Sequence, residues 1–301
     1  MKRKLVKQGN SALTITLPSS WVKKFNLKPG DEVDVEEVGK GLVVQNDKDF
    51  KQQKVSIKLS DDPDLAERQI GHAYKKGVEE LEVSFDNPHL IKSVYSALNA
   101  VIGYEVVNQG KNFCTIKNIA SQNEEDFDSV LRRTFLITLQ LADESYELIS
   151  KNKKESLEDL LFLEKLNNKL TDFCKRILNK KGYKDSTKTT YIYCIVWDLE
   201  KIADDYKEII KYVLNNPSKL DSEVIQLLKE ANSYFREYYE LFYESNDSKM
   251  KIFFLKKNNL LKKIMTKLEK SNTCNSYILF RILSIVTKTY EIGSPLYEIK
   301  L

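Results

Sequence analysis

Histidine is nearly missing from this chain: His72 and His89 are the two in 301 residues. A histidine-based metal site or acid–base pair is therefore not expected, and both read as surface or helix-end residues. Cysteine is sparse too. Cys114, Cys174, Cys194 and Cys274 lie far apart with no Cys-x-x-Cys pair, which suits buried thiols in a reducing cytoplasm better than disulfides or zinc. The ten glycines fall in turns, and none belongs to a phosphate-cradling loop or a nucleophile elbow. No carboxylate pair stands in a catalytic pattern. These absences point away from an enzyme. No apolar run approaches the ~20 residues of a spanning helix, and 31% of the residues are charged, so no membrane span is expected. The charged N-terminus leads directly into a predicted strand, unlike a secretory signal.

One further absence is local. Residues 1–28 contain no Asp or Glu, yet hold Lys2, Arg3, Lys4, Lys7, Lys23, Lys24 and Lys28. Those seven cations sit in a protein whose whole formal charge is +4. A field of one sign, on a fragment too small to fold well alone, suggests a dimeric module facing a polyanion. The pattern from Arg3 to Val44 predicts a basic strand, a tight loop and a second strand, in which Leu13, Ile15 and Leu17 alternate with Thr14 and Thr16. Pro18 opens a short helix that Ser19 is placed to cap. Pro29-Gly30-Asp31 then turns the chain into an acidic strand, Val33 and Val35 alternating with Asp34 and Glu36, which ends near Gly39-Lys40-Gly41.

The basic strand, Leu17-Pro18, Trp21-Val22 and Leu27-Lys28-Pro29-Gly30-Asp31, in this order and spacing, resemble the swapped-hairpin DNA-binding domain of the AbrB/SpoVT/MazE type. The resemblance implies that two chains interleave their hairpins into one β-barrel, making a homodimer whose basic face lies on double-stranded DNA. Lys2, Arg3, Lys4, Lys7, Asn10 and Lys23 are the expected DNA contacts. Many relatives carry basic residues directly after Leu-Pro; Ser19 and Ser20 stand there in this chain and bring no charge to a phosphate.

After this head, residues 1–46, a polar stretch over 46–53 reads as a linker. Residues 54–120 read as a small α/β domain of order β-α-β-α-β-β. Its strands carry Val55, Ile57 and Leu59, then Leu81, Val83 and Phe85, then the pair Tyr104 to Asn108 and Phe113 to Ile119. Its first helix, Pro63 to Lys76, is expected to face inward through Leu65, Ile70 and Ala73 and to stop at Gly77. Its second carries Ile91, Val94, Leu98 and Val101. Nothing in its loops picks out a ligand. Residues 124–301 are helical in period throughout, with six helices in two successive three-helix units, about 124–214 and 219–301. Gly293-Ser294-Pro295 is expected to disturb the last helix.

The six helices, and above all Leu199-Glu200-Lys201-Ile202-Ala203-Asp204-Asp205-Tyr206, resemble the PhoU family of phosphate-uptake regulators. With the head, the whole chain resembles the archaeal-type phosphate uptake regulator. This resemblance implies a multidomain α+β protein: an AbrB-like head, a middle sandwich and an all-α PhoU-like bundle. It implies a cytoplasmic transcriptional or signalling regulator of phosphate uptake and homeostasis, with phosphate-transport or signalling proteins as partners. The alternative is a PhoU-like adaptor that does not bind DNA and regulates a phosphate transporter through protein–protein contacts. Relatives hold metal ions on acidic helix motifs, and Glu200 and Asp204, one turn apart, satisfy the first geometric condition. Asn167, Asn168, Lys169 and Thr171 stand where the preceding helix commonly shows acids, so the cluster is reduced. No cofactor is expected, or at most a weakly bound metal ion at Glu200 and Asp204. Asn167 falls on an apolar stripe and reads as a buried polar residue that sets helix register.

Overall fold

The structure is a computed structural model that describes residues 2–9, 12–38, 41–45, 54–119, 127–216 and 219–300. Asn10, the Gly39-Lys40 turn, the polar stretch 46–53 and Pro217 lie outside the described residues. The chain divides into two compact units, Met1–Gln53 and Lys54–Leu301.

In the first unit, β1 (Val6–Gln8) pairs antiparallel with β2 (Ala12–Thr14), and β3 (Asp34–Val38) with β4 (Gly41–Gln45). The helix α1 (Ser19–Lys24) lies between the two hairpins in the chain. Two expectations are corrected here. Both first strands are shorter than their alternation suggested, since residues 2–5 and Ile15 to Leu17 form no ladder. A lone hairpin offers those residues no second neighbour to bond. Ser19 is not a cap either: the helix starts on it, Pro18 precedes it, and no side chain caps it. Among the described residues the sheets are two separate pairs, not a closed barrel. Before Leu59, none of the residues whose burial is described is buried.

The second unit begins with a four-stranded sheet of order β5-β6-β8-β7, formed by β5 (Lys54–Lys58), β6 (Glu80–Ser84), β7 (Tyr104–Gln109) and β8 (Phe113–Asn118). β5 and β6 are parallel; the other pairs are antiparallel. The helices α2 (Pro63–Lys75) and α3 (Ile91–Asn99) supply the core residues Ala66, Ile70, Tyr74, Val94, Ala97 and Leu98, which pack with Leu81, Val83, Cys114 and Ile116 of the sheet. Asp62 caps α2 by accepting from the Leu65 amide at 2.8 Å, with Pro63 in the first turn. That start sets the helix phase, so Ala66, Ile70 and Tyr74 point inward, while Leu65 is 49% exposed and Ala73 half-buried. Gly77 ends the turn at φ +94°, where a side chain would be strained.

Among the described residues seven α-helices follow rather than the six expected: α4 (Phe127–Ser150), α5 (Leu161–Lys181), α6 (Thr189–Asn215), α7 (Ser222–Tyr243), α8 (Asp247–Leu268), α9 (Thr273–Glu291) and α10 (Gly293–Lys300). The first three all touch one another, as do α7, α8 and α9; α4 meets α7 and α6 meets α9, and one apolar core runs through them. Leu163, Leu170, Phe173 and Ile177 of α5, Ile195, Leu199, Ile202 and Ile209 of α6, and Ile278, Ile282 and Ile285 of α9 are buried. On α8 Met250, Phe253, Leu260 and Ile264 point inward, and Phe254 and Leu261 are half-buried. The last helix is interrupted at Gly293-Ser294-Pro295: α9 ends at Glu291 and the tripeptide starts α10, because proline is tolerated in a first helical turn. Asn167 is fully buried and donates from Nδ2 to Thr138 Oγ1 at 2.8 Å. The cysteines are not uniformly buried: Cys114 and Cys174 are, whereas Cys274 is half-buried and Cys194 exposed.

Candidate nucleic-acid interface

Lys7 stands on β1 opposite Leu13, so those two side chains share one face of the first hairpin, and Val6, Gln8, Ala12 and Thr14 take the other. Thr14 Oγ1 donates to the Val6 carbonyl at 3.1 Å, tying the hairpin across. Lys2, Arg3 and Lys4 lie in the irregular segment just ahead of β1, all exposed. Lys23 and Lys24 occupy the last turn of α1, where cations suit the helix dipole. Lys23 is exposed, and the Lys24 ammonium sits 5.3 Å from the Phe25 ring. The Lys28 amide donates to Asp31 Oδ2 at 2.9 Å, which forms the turn before the acidic strand. Among the described residues, Lys2, Arg3, Lys4, Lys7 and Lys23 form no ion pair. Their charge is left facing solvent, where a polyanion would feel it. The same unit exposes a set of large apolar side chains: Leu5, Val6, Leu13, Ile15, Val35 and Leu42 are each more than half accessible.

The helical acids have a different setting. Glu200 and Asp204 lie one turn apart on α6, and Lys201 Nζ stands between them, 3.2 Å from Glu200 Oε1 and 3.1 Å from Asp204 Oδ2. Glu200 also accepts from Lys175 of α5. Asp204 Oδ1 is 2.7 Å from Lys207 Nζ, which is 2.7 Å from Glu164 Oε1 of α5. Beyond Lys175 the chain of charges continues to Asp172 at 3.7 Å and from Asp172 to Lys75 of α2 at 3.4 Å. Burial works to raise the Asp204 and Glu200 carboxyls, and the lysines beside them outweigh it, holding both below the ordinary carboxylate range. Asp172 goes the other way, since burial outweighs Lys75 and Lys175 there. Among the described residues no three or more His, Cys, Asp or Glu side chains gather as a metal-binding group. Glu164 escaped the sequence reading because it lies one turn before the position where a second acid was sought.

Arg176 is the other residue the sequence did not single out. Its side chain is fully buried. Nη1 donates to the carbonyls of Tyr74 at 2.8 Å and Val78 at 2.9 Å, and Nη2 to Glu79 Oε1 at 2.8 Å. The rings of Tyr74 and Tyr104 flank it at 4.9 and 5.3 Å. Lys180 joins the same Glu79 carboxylate, and Asn179 Nδ2 reaches the Lys75 carbonyl at 2.8 Å.

The arrangement is that of a small, basic, coreless β unit followed by a mixed-sheet and helical unit. A family model described as antidote-toxin recognition MazE, bacterial antitoxin, matches residues 6–52. The head is thus similar to a MazE/AbrB-like domain, and the match spans both hairpins and the helix between them. No curated protein and no solved structure matches the chain. Among the described residues no helix is long and apolar enough to cross a membrane.

Proposed function

We propose that this protein is a DNA-binding regulator whose head dimerises by hairpin exchange. The observation that carries the reading is the MazE match over residues 6–52 on a unit whose first 28 residues hold seven cations and no acid. The exposed Leu5, Leu13, Ile15, Val35 and Leu42 support dimerisation, since a second copy would supply the apolar cover that one chain lacks. Arg3, Lys4 and Lys7, with Lys2, Asn10 and Lys23, would contact phosphates and fix register; sequence choice would come from groove shape and a few base contacts. The second unit would receive the signal. Its PhoU-like run from Leu199 to Tyr206 supports phosphate uptake as the process and a phosphate-transport protein as the partner.

The test is a salt titration of full-length protein on duplex DNA from upstream of phosphate-transport genes, with a scrambled duplex beside it. A steep salt dependence is expected, with a preference of at least tenfold, about 1.4 kcal/mol. The Arg3→Ala/Lys7→Ala variant should weaken binding to both duplexes and reduce the salt slope by about 2. No binding at low salt would reduce the head to a dimerisation element and favour an adaptor acting through protein contacts. An unchanged slope in the double variant would remove those two residues from the interface.

A further inference from the structure

The seam between α5 and α6 is neutral as built. Four carboxylates, Glu164, Asp172, Glu200 and Asp204, alternate with four ammonium groups, Lys75, Lys175, Lys201 and Lys207. Its most enclosed acid is Glu164, whose side chain is 5% exposed. A carboxylate that deep needs a cation beside it or a proton on it. It receives Lys207 Nζ at 2.7 Å and Asn168 Nδ2 at 2.7 Å, both on Oε1. Lys207 Nζ is equally close to Asp204 Oδ1. One ammonium group therefore bridges two carboxylates from two helices, which is the position a divalent ion would take between them. Lys201 likewise bridges Asp204 and Glu200, both on α6.

We propose that Glu164 and Asp204 form a cation site filled by the chain's own Lys207, so that this seam needs no metal and admits none while Lys207 is present. A divalent ion would add two charges to a balanced row and would meet Lys207 and Lys201 within a few ångströms. With Lys207 shortened, the two acids are left facing each other across the seam with a vacancy between them. They then become a ligand pair for a hard divalent cation. These residues all belong to the second unit, and their chemistry is independent of what the head binds.

The test uses thermal midpoints of the full-length protein with and without Mn²⁺, and with a chelator. The wild type should shift by less than about 1 °C in either condition. Lys207→Ala should melt at least about 5 °C lower, because it strands a buried carboxylate. Mn²⁺ should restore at least half of that loss, and Glu164→Gln in the same background should abolish the restoration. A saturable Mn²⁺ response of the wild type that disappears in Glu164→Gln would overturn the proposal. So would a folded Lys207→Ala protein that Mn²⁺ leaves unchanged. Should Lys207→Ala not fold, Lys207→Gln carries the same comparison, and the wild-type arm decides independently.

Discussion

Asp198 of α6 shows how much a single position depends on what the fold puts beside it. Burial pushes its carboxyl up to about 6, Glu291 adds to the push, and Lys288 and Lys201 oppose it. The folded protein thus keeps this proton to higher pH than the unfolded chain, where aspartate titrates near 3.8. Stability contributed by the neutral acid is therefore lost as pH rises from about 4 to about 6. Asp198→Asn is expected to raise the thermal midpoint near pH 8, with the gain shrinking toward zero near pH 4. Melts across that range check it; an equal gain at both ends would assign the effect to packing rather than titration. Nothing in the sequence marked Asp198, because Glu291 is 93 residues away in the numbering. Asn167, by contrast, was legible: a polar residue on an apolar stripe is either misplaced or bonded, and this one bonds Thr138.

At the scale of elements, the joint between α2 and α5 turns a sheet layer and a helical bundle into one unit. Arg176 satisfies two carbonyls at the end of α2 and the Glu79 carboxylate at once. Arg176→Met keeps the apolar stem and removes all three bonds, while the Gly77 amide stays on the Tyr74 carbonyl, the Tyr104 hydroxyl on the Val78 carbonyl and Lys180 on Glu79. A loss of about 1.5–3 kcal/mol is expected. Hydrogen exchange should show it unevenly, with protection falling more in β5 to β8 than in α7 to α9. A uniform loss would mean that the joint does not hold the layers together. Helix existence and order were readable from periodicity, but phase was not always so. On α8 Ile252 and Leu255 are 63% and 62% exposed, so apolar residues lie on more than one face and the pattern admits more than one inward stripe. The start of α10 depends on tertiary contact: a Cβ on Gly293 would meet Phe253 Cε1 at 2.9 Å, so glycine lets this turn pass close to α8.

For the whole molecule, the contrast between the two units decides what assembly to expect. The second buries two apolar cores, one in its sheet layer and one in its helices. The first buries none of the residues whose burial is described and leaves Leu13 and Leu42 at 63% and 64% accessible. A head closed by a second copy should unfold with a midpoint that rises with protein concentration, as mass action requires. The helical signal of the second unit should be the reporter that does not follow it. Sedimentation as a monomer, with melting independent of concentration, would refute the exchanged head.

The amino-acid sequence by itself determined the kinds and order of most elements, β4 and α10 excepted, the excess of positive charge at the N-terminus and most inward stripes. These depend on residues two to four apart, whose relative directions are set by strand and helix geometry. The tertiary structure alone decided which charges meet. Glu164 and Lys207 are 43 positions apart, and Arg176 and Glu79 are 97 apart. Local periodicity places each on a face, but which face packs against which follows from the burial of apolar surface by the whole unit. The ion pairs form where that packing brings acid and base within reach.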